Sequence, residues 1–238
     1  MKIETAIILR LCISVIVIVI PIAFLSKEIY GSFIFTFSIP IIWQIGFLGK
    51  SIDSLGLRIN FLKSSILAGV VSGCLFGFLG GSLLKYLGIT GHFYSNAHKL
   101  QFSIGDFNMA FLLQKELGYR LLNMSNSAVG ICIYFLFCIF IIGLGEEIFW
   151  RGFIQKKLSG YFSPNKAIWF TAILFSLMHF YVFTILPVKT GISFLLLITL
   201  VGWIWGYLFT RFDNIWSSAI SHGIVAFIIW KYYFFNLS

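Results

Sequence analysis

From Ile131 to Leu144 the chain carries no charged side chain, and apolar runs of this kind recur along its length. Burying such runs in a soluble core would require a polar surface elsewhere to face water. The composition does not supply one: of 238 residues, 59% are hydrophobic, 19% aromatic and only 11% charged, with a mean hydropathy of +0.97. A soluble domain carries roughly 25% charged residues. The solvent for most of the chain is therefore lipid, where backbone polar groups must be satisfied within the segment itself. The expected fold is all-α, a polytopic bundle of transmembrane helices.

A helix needs about 20 apolar residues to cross a bilayer. Segments 6–25, 30–49, 64–87, 128–149, 165–187, 191–210 and 214–235 meet that requirement, which makes about seven spans. Lys2 and Arg10 precede the first apolar run, and Ser26-Lys27-Glu28 follows it in place of a small-residue cleavage site, so a retained signal anchor is expected. Between the third and fourth spans, Phe107 to Leu122 reads as an amphipathic helix at the interface. Pro164 and Asn165 suit a helix start.

The net charge of +9 is spread over connecting segments without a dense basic run, which argues against nucleic acid as a partner. The expected surroundings are a lipid bilayer and its anionic headgroups. With the N-terminus inside, the even-side loops collect ten of the 17 Lys and Arg residues, Arg151 among them. Cys12, Cys74, Cys132 and Cys138 lie in apolar stretches with no CxxC spacing, and read as small buried residues, not a disulfide frame or a zinc site. Gly69-x-x-x-Gly73-x-x-x-Gly77 and Gly202-x-x-x-Gly206 each leave a smooth helix stripe for close packing.

The polar groups at membrane depth carry the most information, because each costs about 2.5–3.5 kcal/mol to insert. Three places stand out. Glu146, Glu147 and Arg151 end the apolar run that begins at Ile131; His179 lies deep in an aromatic span; His222 lies in the last span, with Ser218 one turn earlier on the same face. Glu147 and Arg151 are four apart and neutralise each other. Glu146 is rotated about 100° away, so it points elsewhere and lacks that partner. Taken singly, each histidine reads as a helix contact and the Glu–Arg pair as an anchor. Together, on three helices of one bundle, they make a common polar pocket the better reading.

A carboxylate with two imidazoles suits activation of water. Withdrawn from bulk water, the carboxylate becomes a better base near neutral pH, and an imidazole can donate to a developing oxyanion. The same groups can bind a metal that activates water. Both routes lead to hydrolysis. No His-Glu-x-x-His zinc motif is present, and Asp53, Asp106 and Asp213 fall in or near loops, which disfavours an aspartyl pair.

Glu146-Glu147-x-x-x-Arg151, then Phe175-x-x-x-His179, then His222 resembles the ordered signature of the CAAX protease and bacteriocin-processing family of intramembrane endopeptidases. The resemblance covers roughly residues 128–230, with Gly202-x-x-x-Gly206-Tyr207 and Leu55-Gly56-Leu57-Arg58 in support. It implies two parts in one membrane domain: N-terminal transmembrane helices and an amphipathic loop over 1–127, and a catalytic core over 128–235. It also implies roles. Glu146 activates the attacking water, His179 holds that water or assists proton transfer, Glu147 and Arg151 support the site, and His222 stabilises the oxyanion. The family's final motif usually carries Asn or Asp one turn after the histidine, where this chain has Ala226. Ser218 is the candidate substitute donor; a non-catalytic immunity or scaffold protein of the same fold is the alternative. No metal is expected, with zinc the possibility if the site proves metal-dependent. The expected substrate is a membrane-anchored peptide or protein, processed at a C-terminal or leader segment. The expected location is a bacterial plasma membrane.

Overall fold

The computed structural model describes residues 40–90, 127–184 and 186–234, and every regular element among them is helical. The span expected over 6–25, the first half of that over 30–49, and the amphipathic segment 107–122 lie outside the described residues. Among the described residues, five helices build the bundle: α1 (Leu62–Tyr86), α2 (Ala128–Leu158), α3 (Pro164–Leu177), α4 (Val188–Phe212) and α5 (Trp216–Ile228). Of these, α1, α2 and α4 are long and apolar enough to cross a membrane, at 25, 31 and 25 residues.

Local chemistry sets the helix ends. Ser127 accepts the Gly130 N–H and caps α2. Pro164 stands in the first turn of α3, where its missing N–H costs nothing. Helix α4 stops at Asp213, whose φ of 50° is left-handed. The amide of the next residue, Asn214, then organises the entry to α5: its oxygen accepts the Trp216 N–H at 3.1 Å, and its nitrogen donates to Ser65 Oγ of α1 at 2.8 Å.

Three expectations change. The span expected over 128–149 continues as one helix to Leu158, so Arg151 is not a loop cation. Its side chain is wholly buried, because Glu147 neutralises it. The span expected over 165–187 breaks after 14 residues of α3, short of a full crossing; Met178 and His179 form a turn, and a 3-10 segment follows over Phe180–Thr184. His179 therefore sits at a helix break and not deep within a span. The last span is α-helical only to Ile228 and continues with the wider π turn over Ile229–Phe234.

Glycine decides which helices touch. A Cβ on Gly69 would stand 2.8 Å from Ser217 O, one on Gly73 2.8 Å from Ile224 Cβ, and one on Gly77 2.7 Å from Ile228 Cδ1. The stripe on α1 is thus the seat of α5, as its spacing predicts, and Gly81 extends it against Tyr233. Helices α2 and α5 cross more tightly still. A Cβ on Gly143 would fall 2.3 Å from Ala219 O, and one on Gly223 would fall 2.6 Å from Ile139 Cα. No larger residue fits either position without moving backbone, so the crossing is dictated by two glycines that face each other.

At one end of the bundle Arg58 pairs with Asp213, Lys156 Nζ reaches Asp53 O at 3.4 Å, and the indole of Trp216 donates to Arg58 O at 2.9 Å. Gly56, at a φ of 82°, turns the Leu55–Arg58 link so that its carbonyl accepts the Ile215 N–H. Leu55 is fully buried and joins Phe149, Trp150, Phe153, Trp205 and Phe209 in the main core.

Candidate active site

The Gly143–Gly223 crossing sets the site. One turn beyond Gly143 on α2 stand Glu146 and Glu147; directly before Gly223 on α5 stands His222. All three side chains are buried, at 5%, 0% and 7% exposed, in a region with no bulk water to solvate charge. Each carboxylate must therefore find a protein partner or a function.

Glu147 finds two partners. Its Oε1 accepts from Arg151 Nη1 at 2.8 Å and from His222 Nδ1 at 3.1 Å. The i, i+4 pair expected from spacing is thus present, and it also holds a histidine 75 residues away in sequence. With Nδ1 carrying a proton for Glu147, Nε2 of His222 is turned toward Glu146, whose Oε2 lies 3.9 Å away. Glu146 does not point away from the pair, as a regular helix would have it. Both carboxylates flank one imidazole, because His222 enters between consecutive α2 residues where the helix passes into wide π turns over Ile148–Gln155. Glu146 Oε2 is buried and has no hydrogen-bond partner among the described residues, and the same holds for Glu147 Oε2.

Arg151 is held from a second side. Its Nη2 donates to Gly202 O at 2.7 Å, and its guanidinium lies over the rings of Phe175 and Trp205, at 5.1 and 5.6 Å. One turn on, Gln155 repeats the pattern: its Nε2 donates to Gly206 O at 2.9 Å and to Thr210 Oγ1 at 3.0 Å. Glu147, Arg151 and Gln155 on α2 thus run as a polar ladder beside Gly202, Gly206 and Thr210 on α4. The glycines admit these side chains; a Cβ on Gly206 would stand 2.7 Å from Gln155 Oε1. Gln155 was not anticipated, although its place one turn past Arg151 was the available signal.

His179 meets the site through Phe175. Its Nδ1 lies 3.0 Å from Phe175 O, and the Phe175 ring meets the imidazoles of both His179 and His222 edge-on, with centroids 5.0 and 5.9 Å away. Trp205, also unanticipated, stacks on His222 at 4.0 Å and 17°. Ser218 is buried, and its hydroxyl donates to Ile215 O at 3.1 Å. Ala226, one turn past His222, is buried and apolar. Among the described residues, no group of three or more His, Cys, Asp or Glu side chains is arranged to hold a metal ion.

Helices long and apolar enough for a bilayer, closed around a buried Glu–His–Arg cluster, define the class as a helical membrane protein. Residues 128–228 match the family model described as type II CAAX prenyl endopeptidase Rce1-like, and the match supports assignment of the chain to the CAAX protease family. The matched segment is the one that holds every site residue named above, and it supports an endopeptidase embedded in a membrane. No curated protein and no solved structure matches the chain.

Proposed function

We propose that this chain is an intramembrane endopeptidase in which Glu146 activates water to hydrolyse a peptide bond of a membrane-anchored peptide or protein. The observation that carries this reading is the buried, unpartnered Glu146 Oε2 at 3.9 Å from His222 Nε2. That gap is too long for a hydrogen bond. It suits one bridging water, since two bonds of about 2.8 Å span it when they meet at about 90°.

The residues then divide the work. Glu147 accepts the Nδ1 proton of His222 and fixes the ring, while Arg151 balances the charge of Glu147. Glu146 removes a proton from the water as its oxygen attacks the scissile carbonyl carbon. The carbonyl oxygen gains negative charge, and His222, protonated on Nε2, donates to it. Glu146 returns its proton to the leaving nitrogen as the C–N bond breaks. His179, at the break after α3, is the proposed helper in proton transfer. Ser218 serves as a second oxyanion donor only if its hydroxyl leaves Ile215 O, which Ser218→Ala tests. No step is routed through a metal.

Around this core we propose a bacterial plasma membrane as the setting, and a substrate presented within the bilayer for C-terminal or leader processing. The family model's prenyl substrate is one member of that class. Purified protein in vesicles, offered lipid-anchored peptides, tests the mechanism. Glu146→Gln should lower the cleavage rate by at least about 10²-fold with the thermal midpoint retained, the range expected for a lost general base. Unchanged cleavage in that variant would remove Glu146 from the chemistry. Retained cellular function in it would favour the scaffold role that Ala226 suggests.

A further inference from the structure

The site's imidazole is held by more than its carboxylates. We propose that Trp205 is a positioning residue for His222, and that a hydroxyl chain from α1 locks its indole in place. The inference rests on the proteolytic reading for its kinetic consequence, but not for its structural one.

Trp205 is 3% exposed and lies parallel to the His222 ring at 4.0 Å, so it fixes the plane of the imidazole. The bond from His222 Nδ1 to Glu147 fixes its rotation within that plane. The stack and the bond together leave Nε2 one direction, toward Glu146. The indole in turn has one polar atom, and Nε1 donates its proton to Ser221 Oγ at 3.0 Å. Ser221 is wholly buried and precedes His222 directly, so Trp205 grips the same turn of α5 by face and by edge.

Ser221 Oγ is also 3.0 Å from Ser72 Oγ on α1, and Ser72 Oγ is 2.6 Å from Ala68 O. Each hydroxyl has one proton to give. Ser72 Oγ has both Ser221 Oγ and Ala68 O as acceptors, so Ser221 Oγ accepts from the indole on one side and from the Ser72 hydroxyl of α1 on the other. The chain reaches α1 at Ser72, between Gly69 and Gly73, the two glycines on which this part of α5 is seated. Helix α1 supplies no acid or base to the site and lies outside the segment that matches the family model. It nonetheless sets the orientation of the imidazole.

The test uses the full chain in nanodiscs with ¹³C-labelled histidine, in which the His222 ring signals are identified by their loss in His222→Gln. Stacking on indole shifts those ring protons strongly upfield. Trp205→Leu should move them downfield, Trp205→Phe should keep part of the shift, and Ser72→Ala should move them in the same direction as Trp205→Leu by a smaller amount. On any peptide that the wild type cleaves, Trp205→Leu should lower kcat by up to about 10²-fold and leave KM within about twofold. Trp205→Phe should recover part of that loss. Should Trp205→Leu fail to fold, Ser72→Ala and Ser221→Ala carry the same prediction with smaller changes in volume. His222 signals that stay in place in folded Trp205→Leu or in Ser72→Ala would overturn the relay while leaving the protease reading intact. A wild type that cleaves nothing would overturn the protease reading, and the spectra would still judge the relay.

Discussion

Arg151 shows how far a single residue's meaning depends on its partners. As a cation in an apolar setting it is costly; with Glu147 at 2.8 Å and Gly202 O at 2.7 Å it is a fastening between α2 and α4. Removing one member of a buried pair leaves the other uncompensated, at a cost of about 3–5 kcal/mol. Arg151→Met should therefore lower the thermal midpoint in detergent steeply. The double variant Arg151→Met with Glu147→Met should fall by less than the sum of the single changes. An additive result would mean that the two charges do not act as a pair. The pairing itself was legible, because an i, i+4 spacing is a local property of any helix. The bond from Glu147 to His222 was not, since nothing in either segment states that the other is its neighbour.

At the scale of elements, the distinction between glycines that pack and glycines that do not is sharp enough to test. Gly143→Ala drives a methyl group into the backbone of α5 and should separate α2 from α5, with loss of both stability and cleavage. Gly80, on the same helix as the α1 stripe, has nothing within 4 Å of its would-be Cβ. Gly80→Ala should be neutral or stabilise the helix by up to about 1 kcal/mol, the difference in intrinsic propensity. Circular dichroism melts of the two variants check both statements; equal losses would contradict this account of the crossing. The GxxxG stripes on α1 and α4 were readable from spacing. Gly143 and Gly223 were not, since neither belongs to a Gly-x-x-x-Gly stripe and each acquires its role only from the helix across from it. The break after α3 was hidden for a related reason. Phe180 to Thr184 is as apolar as a span, and hydropathy does not register where a helix ends.

For the whole molecule, Arg58, Lys156 and Asp213 mark one end of the bundle, and Lys157 in the last turn of α2 and Lys166 in the first turn of α3 flank the link between those helices. Basic loops are retained on the cytoplasmic side. A cysteine placed at the exposed Ser159, with the four native cysteines replaced by alanine, should be labelled by an impermeant maleimide in inside-out vesicles and protected in right-side-out ones. The reverse pattern would invert the orientation. Moving Arg151 from the loops into the core takes one charge from the basic side and leaves the bias pointing the same way.

Solvent preference was settled by sequence alone. The transfer of apolar side chains to lipid adds up residue by residue, so composition and run length suffice to specify a helical membrane protein. The identity of the costly residues, Glu146, Glu147, Arg151, His179 and His222, was likewise visible, because each breaks an otherwise apolar pattern. Tertiary structure alone decided which of them meet. Two facing glycines bring α2 and α5 into backbone contact, so that both carboxylates flank His222 while His179 stands behind Phe175. Such a contact depends on the fit of two surfaces distant in sequence, and no local pattern of charge or hydropathy encodes that fit.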